Sequence, residues 1–182
     1  MMDKHAIARV LEEIATFLEL RGENVFKVRA FQNAARTVET FPGDLDAALT
    51  SGELAATKGI GPATLDVVRE CLASGRSGAL ETLRGEVPSG LVEMLRIGGM
   101  GVAKVRTVHE GLGIATLAEL ESAARDGRLA KLPRFGEKTA AKVLKGLEFL
   151  RRTSAFRLAH HAARQADQLR GIIAALPGVV RV

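Results

Sequence analysis

A glycine–apolar–glycine bend recurs along the chain and dictates where its helices must reverse. It reads Lys58-Gly59-Ile60-Gly61-Pro62, then Gly98-Gly99-Met100-Gly101-Val102, then Pro133-Arg134-Phe135-Gly136-Glu137, with arginine replacing the leading glycine of the third. Gly61, Gly101 and Gly136 stand 40 and 35 residues apart, the mark of an internal repeat. Each bend follows a short apolar-periodic stretch and opens a longer one. The residue that ends the first helix needs left-handed dihedrals, which glycine adopts without a Cβ penalty. Ile60, Met100 and Phe135 are expected to tuck under the bend. The second glycine keeps side chains off the next helix N-terminus, whose first N–H groups have no intrahelical partner. At Arg134 a left-handed dihedral would cost strain, so the third bend reads as the weakest repeat, with Arg134 directed at solvent or at an anion.

This is the helix-hairpin-helix pattern. Free amides at the positive end of a helix suit a phosphate oxygen, a contact that positions a protein on nucleic acid without reading bases. A lone bend is usually only a helix cap. Three in register favour a nucleic-acid backbone grip. The candidate contacts are Lys58, Gly59, Gly61 and Ala63 at the first bend, Gly99, Gly101, Val102 and Lys104 at the second, and Arg134, Gly136 and Lys138 at the third. Arg106 and Lys142 follow on the same helices. Cations in a first helical turn oppose the dipole unless an anion arrives, which singles out Lys104 and Lys138. Lys27, Arg29 and Arg36 occupy one earlier helix, either as phosphate ligands or as a solvated face.

The 182 residues hold 26 Lys plus Arg against 21 Asp plus Glu, and the net charge of +5 suits an anionic partner. Trp and Tyr are absent and Phe numbers 7, so base stacking on aromatics is not the expected mode. Cys71 is alone, which excludes an internal disulfide or thiolate cluster. It falls in the apolar rhythm of Leu65, Val68 and Leu72 and reads as a buried structural thiol. No signal peptide or membrane-length apolar run is visible, so a cytoplasmic monomer is expected. His5, His109, His160 and His161 lack ligand spacing. Glu12, Glu13, Glu119 and Glu121 read as solvated helix surface.

Periodicity predicts an all-α fold. Helices are expected over Asp3–Leu20, Val25–Phe41, Asp44–Leu49, Ser51–Thr57, Gly61–Ala73 and Gly78–Glu86. Val87-Pro88-Ser89-Gly90 breaks the pattern. Helices resume over Leu91–Ile97, Val102–Glu110, Leu117–Ala124, Arg128–Leu132 and Glu137–Arg152, with a capping box from Thr116 to Glu119. A last helix is expected over Ser154–Leu176, with the start of a strand at Val179–Val182. The division predicted is residues 1–86, 87–152 and 153–182: two hairpin modules, then a linking helix entering a further domain.

Three stretches in this order carry a resemblance: residues 24–36 (Asn-Val-Phe-Lys-Val-Arg-Ala-Phe-Gln-Asn-Ala-Ala-Arg), the bends Gly59-Ile60-Gly61 and Gly99-Met100-Gly101, and Leu132-Pro133-Arg134-Phe135-Gly136-Glu137-Lys138-Thr139. The chain resembles the N-terminal helical region of bacterial family X DNA polymerases, relatives of polymerase beta, over essentially its whole length. The resemblance implies a first module that binds the 5′ side of a gap or nick in double-stranded DNA and a second that holds the primer-side duplex. It implies Na+ or K+ at the bends, on carbonyls near Lys58, Ile60, Ile97 and Met100. Nucleotidyl transfer and its Mg2+ would belong to a palm domain expected beyond Val182. The lysine that serves the family as a Schiff-base lyase nucleophile matches Val67 here. Its phosphate pocket keeps Lys27, while a second pocket lysine matches Ala63 and a tyrosine matches Phe31. A residual abasic-site lyase and a protein-interaction module are the rival functions.

Overall fold

The computed structural model describes residues 2–153, and these are helical, with no strand among them. The expected last helix and terminal strand lie outside the described residues.

α1 (Lys4–Leu20) starts where Asp3 accepts the Ala6 N–H at 2.7 Å. It ends in a Schellman closure, with Gly22 at φ 79, its N–H donating to Glu19 and the Glu23 N–H to Leu18. α2 (Val25–Thr40) is capped by Asn24, whose Oδ1 accepts the Phe26 N–H at 2.8 Å. Ile7, Leu11 and Ile14 on α1 are fully buried, as are Ala34 and Val38 on α2. α3 (Leu45–Ser51) runs past its expected end. Gly52 at φ 82 then separates it from α4 (Glu53–Ala56), so Ser51 closes one helix and does not open the next. α5 (Pro62–Ser74) and α6 (Gly78–Glu86) complete the first module, and α1 packs against both.

The second module holds α7 (Ser89–Met94), α8 (Val102–Leu112), α9 (Leu117–Arg125), a 3-10 turn at Leu129–Lys131 and α10 over 137–153. α7 stops three residues short of its expected end because residues 95–97 turn into the bend. α8 continues to Leu112 and is stopped by Gly113 at φ 66. Gly90 allows close backbone approach, since a Cβ there would lie 2.0 Å from the Ala115 carbonyl oxygen.

The second and third bends are related by reciprocal packing. Ile97 precedes Gly101 by four residues, as Leu132 precedes Gly136. Gly111 follows Gly101 by ten, as Gly146 follows Gly136. A Cβ at Gly146 would fall 2.6 Å from Ile97 Cγ2, and one at Gly111 would fall 2.9 Å from Leu132 Cδ2. Each bend therefore seats its leading apolar residue on a glycine of the other's helix, an internal quasi-twofold pair with a 35-residue register.

α8 also packs on α1, and buried side chains of both modules form one continuous apolar core. At that junction the Arg106 guanidinium occupies the space beside Gly22 at the C-terminal end of α1, where a cation is favoured.

Candidate nucleic-acid interface

All three bends close with the same turn. Ile60 N–H donates to Thr57 at 3.1 Å, Met100 N–H to Ile97 at 2.9 Å and Phe135 N–H to Leu132 at 3.1 Å. The third residue of each turn is left-handed: Gly59 at φ 100, Gly99 at φ 83 and Arg134 at φ 67. Met100 is fully buried beneath its bend, whereas Ile60 and Phe135 are half-buried.

The amides differ. Among the described residues the N–H groups of Gly101, Val102 and Ala103 make no hydrogen bond, nor do those of Gly136, Glu137 and Lys138. The next amides, of Lys104 and Thr139, fold back onto the Gly101 and Gly136 carbonyls at 2.9 Å. No heavy atom lies within 4 Å of a Cβ placed on Gly98, Gly99, Gly101 or Gly136, and the same holds for Gly61. At the first bend the Gly61 amide is already bonded. Its N–H donates to Thr64 Oγ1 at 2.9 Å, and that hydroxyl donates to the Gly61 carbonyl at 2.9 Å. Pro62 has no N–H, which leaves Ala63 to offer an amide. The bend is also pressed onto α2, where a Cβ on Gly59 would lie 2.7 Å from Thr37 Oγ1. A hydroxyl three residues after the glycine is the signal by which Thr64 was recognisable. Nothing local in the sequence marks Thr37.

The cations divide likewise. Lys104, Arg134, Lys138 and Lys142 form no ion pair among the described residues. Lys104, which follows the second bend, places its Nζ 5.6 Å from the ring centre of Phe135 in the third, so the two bends meet through a cation–π contact. Arg106 instead binds Glu110 at 2.6 Å. In the first module Lys27 pairs with Glu23 at 3.5 Å and lines a cleft of about 260 Å³ with Arg21, Phe31 and Glu86. Arg29 lines a different cleft of about 270 Å³ with Glu19, Gln32 and Arg106. Lys27 and Arg29 thus line different clefts, although Glu23, the partner of Lys27, also lines that of Arg29. Arg36, Lys58 and Ala63 are exposed, and Val67 is buried, offering no amine where the family resemblance puts a nucleophile.

Burial, with Glu70 beside it, pushes the Cys71 thiol up. His5 lies 3.9 Å from Glu39, and His109 Nδ1 lies 2.9 Å from the Ile114 carbonyl. His160 and His161 lie outside the described residues. Glu13 and Glu121, read as plain surface, have fixed partners, and Glu119 takes the capping-box role read for it. Glu13 binds Arg84 at 2.7 Å. Glu119 closes the capping box on Thr116, and the Ala115 and Thr116 N–H groups hold its carboxyl below the usual range. Glu121 is held down by Arg125 and by Arg151 of α10. Asp126 is lowered by Arg128.

The fold and its bends define a helix-hairpin-helix protein with two modules. Residues 2–77 match the helix-hairpin-helix domain family, and residues 91–148 match the SAM-like helix-hairpin-helix tandem. The chain is a relative of the family X DNA polymerases, similar to their N-terminal helical region. It is 36% identical over 146 residues to the DNA polymerase/3'-5' exonuclease PolX of Bacillus subtilis, covering 80% of this chain and 25% of that protein. It thus spans about a quarter of the length of that relative. It is also 36% identical over 85 residues to the Holliday junction branch migration complex subunit RuvA of an Acidovorax species, covering 45% of this chain and 44% of RuvA. Against RuvA of Leptothrix cholodnii it is 40% identical over 52 residues, covering 29% and 27%.

Proposed function

We propose that the chain binds double-stranded DNA through its phosphate backbone, without sequence preference, at gaps or nicks, as part of a family X repair polymerase. It works as a monomer in the cytoplasm, with nucleotidyl transfer and Mg2+ belonging to residues outside this span. One observation carries the reading: two reciprocally packed bends each leave three consecutive amides without a hydrogen bond among the described residues. Lys104 and Lys138 stand in the adjoining first turns, where a bound anion relieves their conflict with the dipole. The kinship with PolX supports DNA as the anion.

The bends also fit a monovalent cation. The Ile60 and Met100 carbonyls accept no hydrogen bond among the described residues, while Ile97 accepts the Met100 N–H and Lys58 receives only a long 3.5 Å contact from the Thr37 hydroxyl. Carbonyl oxygens suit hard cations, so Na+ or K+ there would help hold the bend beneath a phosphate.

Titrating gapped, nicked and intact duplex at several salt concentrations tests the proposal. The expected result is tighter binding to gapped or nicked DNA, with a log–log salt slope that grows by about 0.9 per phosphate contact. Equal affinity for all three duplexes overturns the gap preference. Affinity independent of salt overturns backbone binding altogether.

A further inference from the structure

Arg134 is, among the described residues, the single non-glycine with positive φ, at 67°. Its two counterparts are glycines with the same handedness. A side chain there crowds the following carbonyl, and such strain persists only where the surroundings over-determine it. The surroundings do so. Pro133 pre-sets the preceding dihedral of the turn, the Phe135 N–H closes it onto Leu132, and Leu132 is seated on Gly111. The bend could accept glycine without losing any of these contacts. Arginine contributes none of them: it is exposed and forms no ion pair or side-chain hydrogen bond among the described residues. The residue is thus unfavourable for its own bend and unused by the fold.

What lies around it is cationic. Lys104 is held against the neighbouring Phe135 ring, and Lys138 follows in the first turn of α10. Glu137 is the one carboxylate in that turn. The Gly136, Glu137 and Lys138 amides are unbonded at the same place.

We propose that Arg134 is a phosphate-contacting residue kept against the stability of its own bend, and that Lys104, seated on Phe135, serves the same phosphate. This rests on the DNA-binding reading above and moves its centre to the third bend, the one whose motif departs from glycine. Phe135 acts as a positioning residue through Lys104.

The test compares wild-type chain with Arg134→Gly, Arg134→Lys and Arg76→Ala on a short gapped duplex, measuring melting temperature and salt-dependent affinity. Arg76 is an exposed arginine of the first module with no ion pair among the described residues, and serves as the charge control. Arg134→Gly is expected to melt roughly 2–4 °C higher while binding about tenfold more weakly, with the salt slope reduced by about 0.9. Arg134→Lys should restore the slope without the gain in melting temperature. Phe135→Leu should lower affinity in wild type and have no effect in Lys104→Ala. Unchanged affinity for Arg134→Gly, or a loss no larger than that of Arg76→Ala, overturns the proposal while leaving DNA binding intact. A lower melting temperature for Arg134→Gly also overturns it. Wild-type chain that binds no duplex at all sinks the DNA-binding reading itself.

Discussion

At the first bend Gly61 donates to the Thr64 hydroxyl, Pro62 has nothing to donate, and Gly59 is pressed against Thr37. At the second, Gly101, Val102 and Ala103 keep their amides unbonded, and a Cβ on Gly99 or Gly101 would meet nothing within 4 Å. The backbone turns are the same, so the difference lies in what surrounds them. A helix N-terminus has orphan donors whether or not it binds a ligand. One hydroxyl three residues on is enough to satisfy the donor nearest the bend. The motif therefore defines a shape, and its immediate neighbours decide whether that shape can still accept a phosphate. In this molecule the first bend is built into its own module, and the second and third leave their amides unbonded as a pair.

The strongest way to break this contrast is to place a carboxylate at each bend. A Cβ at Gly61, Gly101 or Gly136 meets nothing within 4 Å, so all three glutamate variants should fold. Gly101→Glu and Gly136→Glu should each weaken DNA binding on the order of 100-fold, and Gly61→Glu only a few-fold, by losing phosphate contacts and adding repulsion. Equal losses at all three positions would show that the first bend also grips DNA. Stability should divide in the opposite sense. Gly59→Ala combines a left-handed dihedral with a clash on Thr37 and should cost about 2–3 kcal/mol. Gly99→Ala meets open space and should cost about 1 kcal/mol; urea denaturation of both variants measures the gap.

A finer test uses hydrogen exchange. In the free protein the Gly61 amide should be protected and those of Gly101 and Gly136 unprotected, with the latter two becoming protected when DNA is added. Thr64→Val should expose the Gly61 amide and cost about 1 kcal/mol.

The smallest effect is on pH dependence, and it differs in sign between the modules. Glu119, Glu121 and Asp126 of the second module are all held below the usual carboxylate range. Their contribution is complete above that range and is lost as pH falls through the lowered values. Cys71 of the first module is raised, so its contribution is complete below the usual thiol value and is lost as pH rises through the raised one. Melting temperature against pH should therefore fall at both ends. Glu119→Gln should flatten the acid limb and Cys71→Ala the alkaline limb.

Helix positions and the Thr116 capping box were legible in the sequence because both are local. Asp3, Asn24 and Ser77 likewise accept amides of the following turn. Boundaries moved where a single glycine intervened, as at Gly52 and Gly113. The interface was half legible. The bends, the left-handed residues and the cations Lys104 and Lys138 follow from the repeat. The separation of Lys27 from Arg29 follows from their helical angle only once it is known which face of α2 packs on α1. The 35-residue register of Ile97 with Leu132, and of Gly111 with Gly146, was present in the chain. It carries meaning only when the two pairs are seen to interlock.

The amino-acid order alone determined that this protein is helical, that its helices reverse at three like bends, and that one of those bends carries an arginine in a glycine's place. These are consequences of dihedral preference and apolar spacing, which act within a few residues. Which amides remain free, which cation sits on which ring, and which bends form a pair were decided by tertiary packing. Those depend on groups that the chain separates by tens of residues, and only the assembled core brings them within bonding distance.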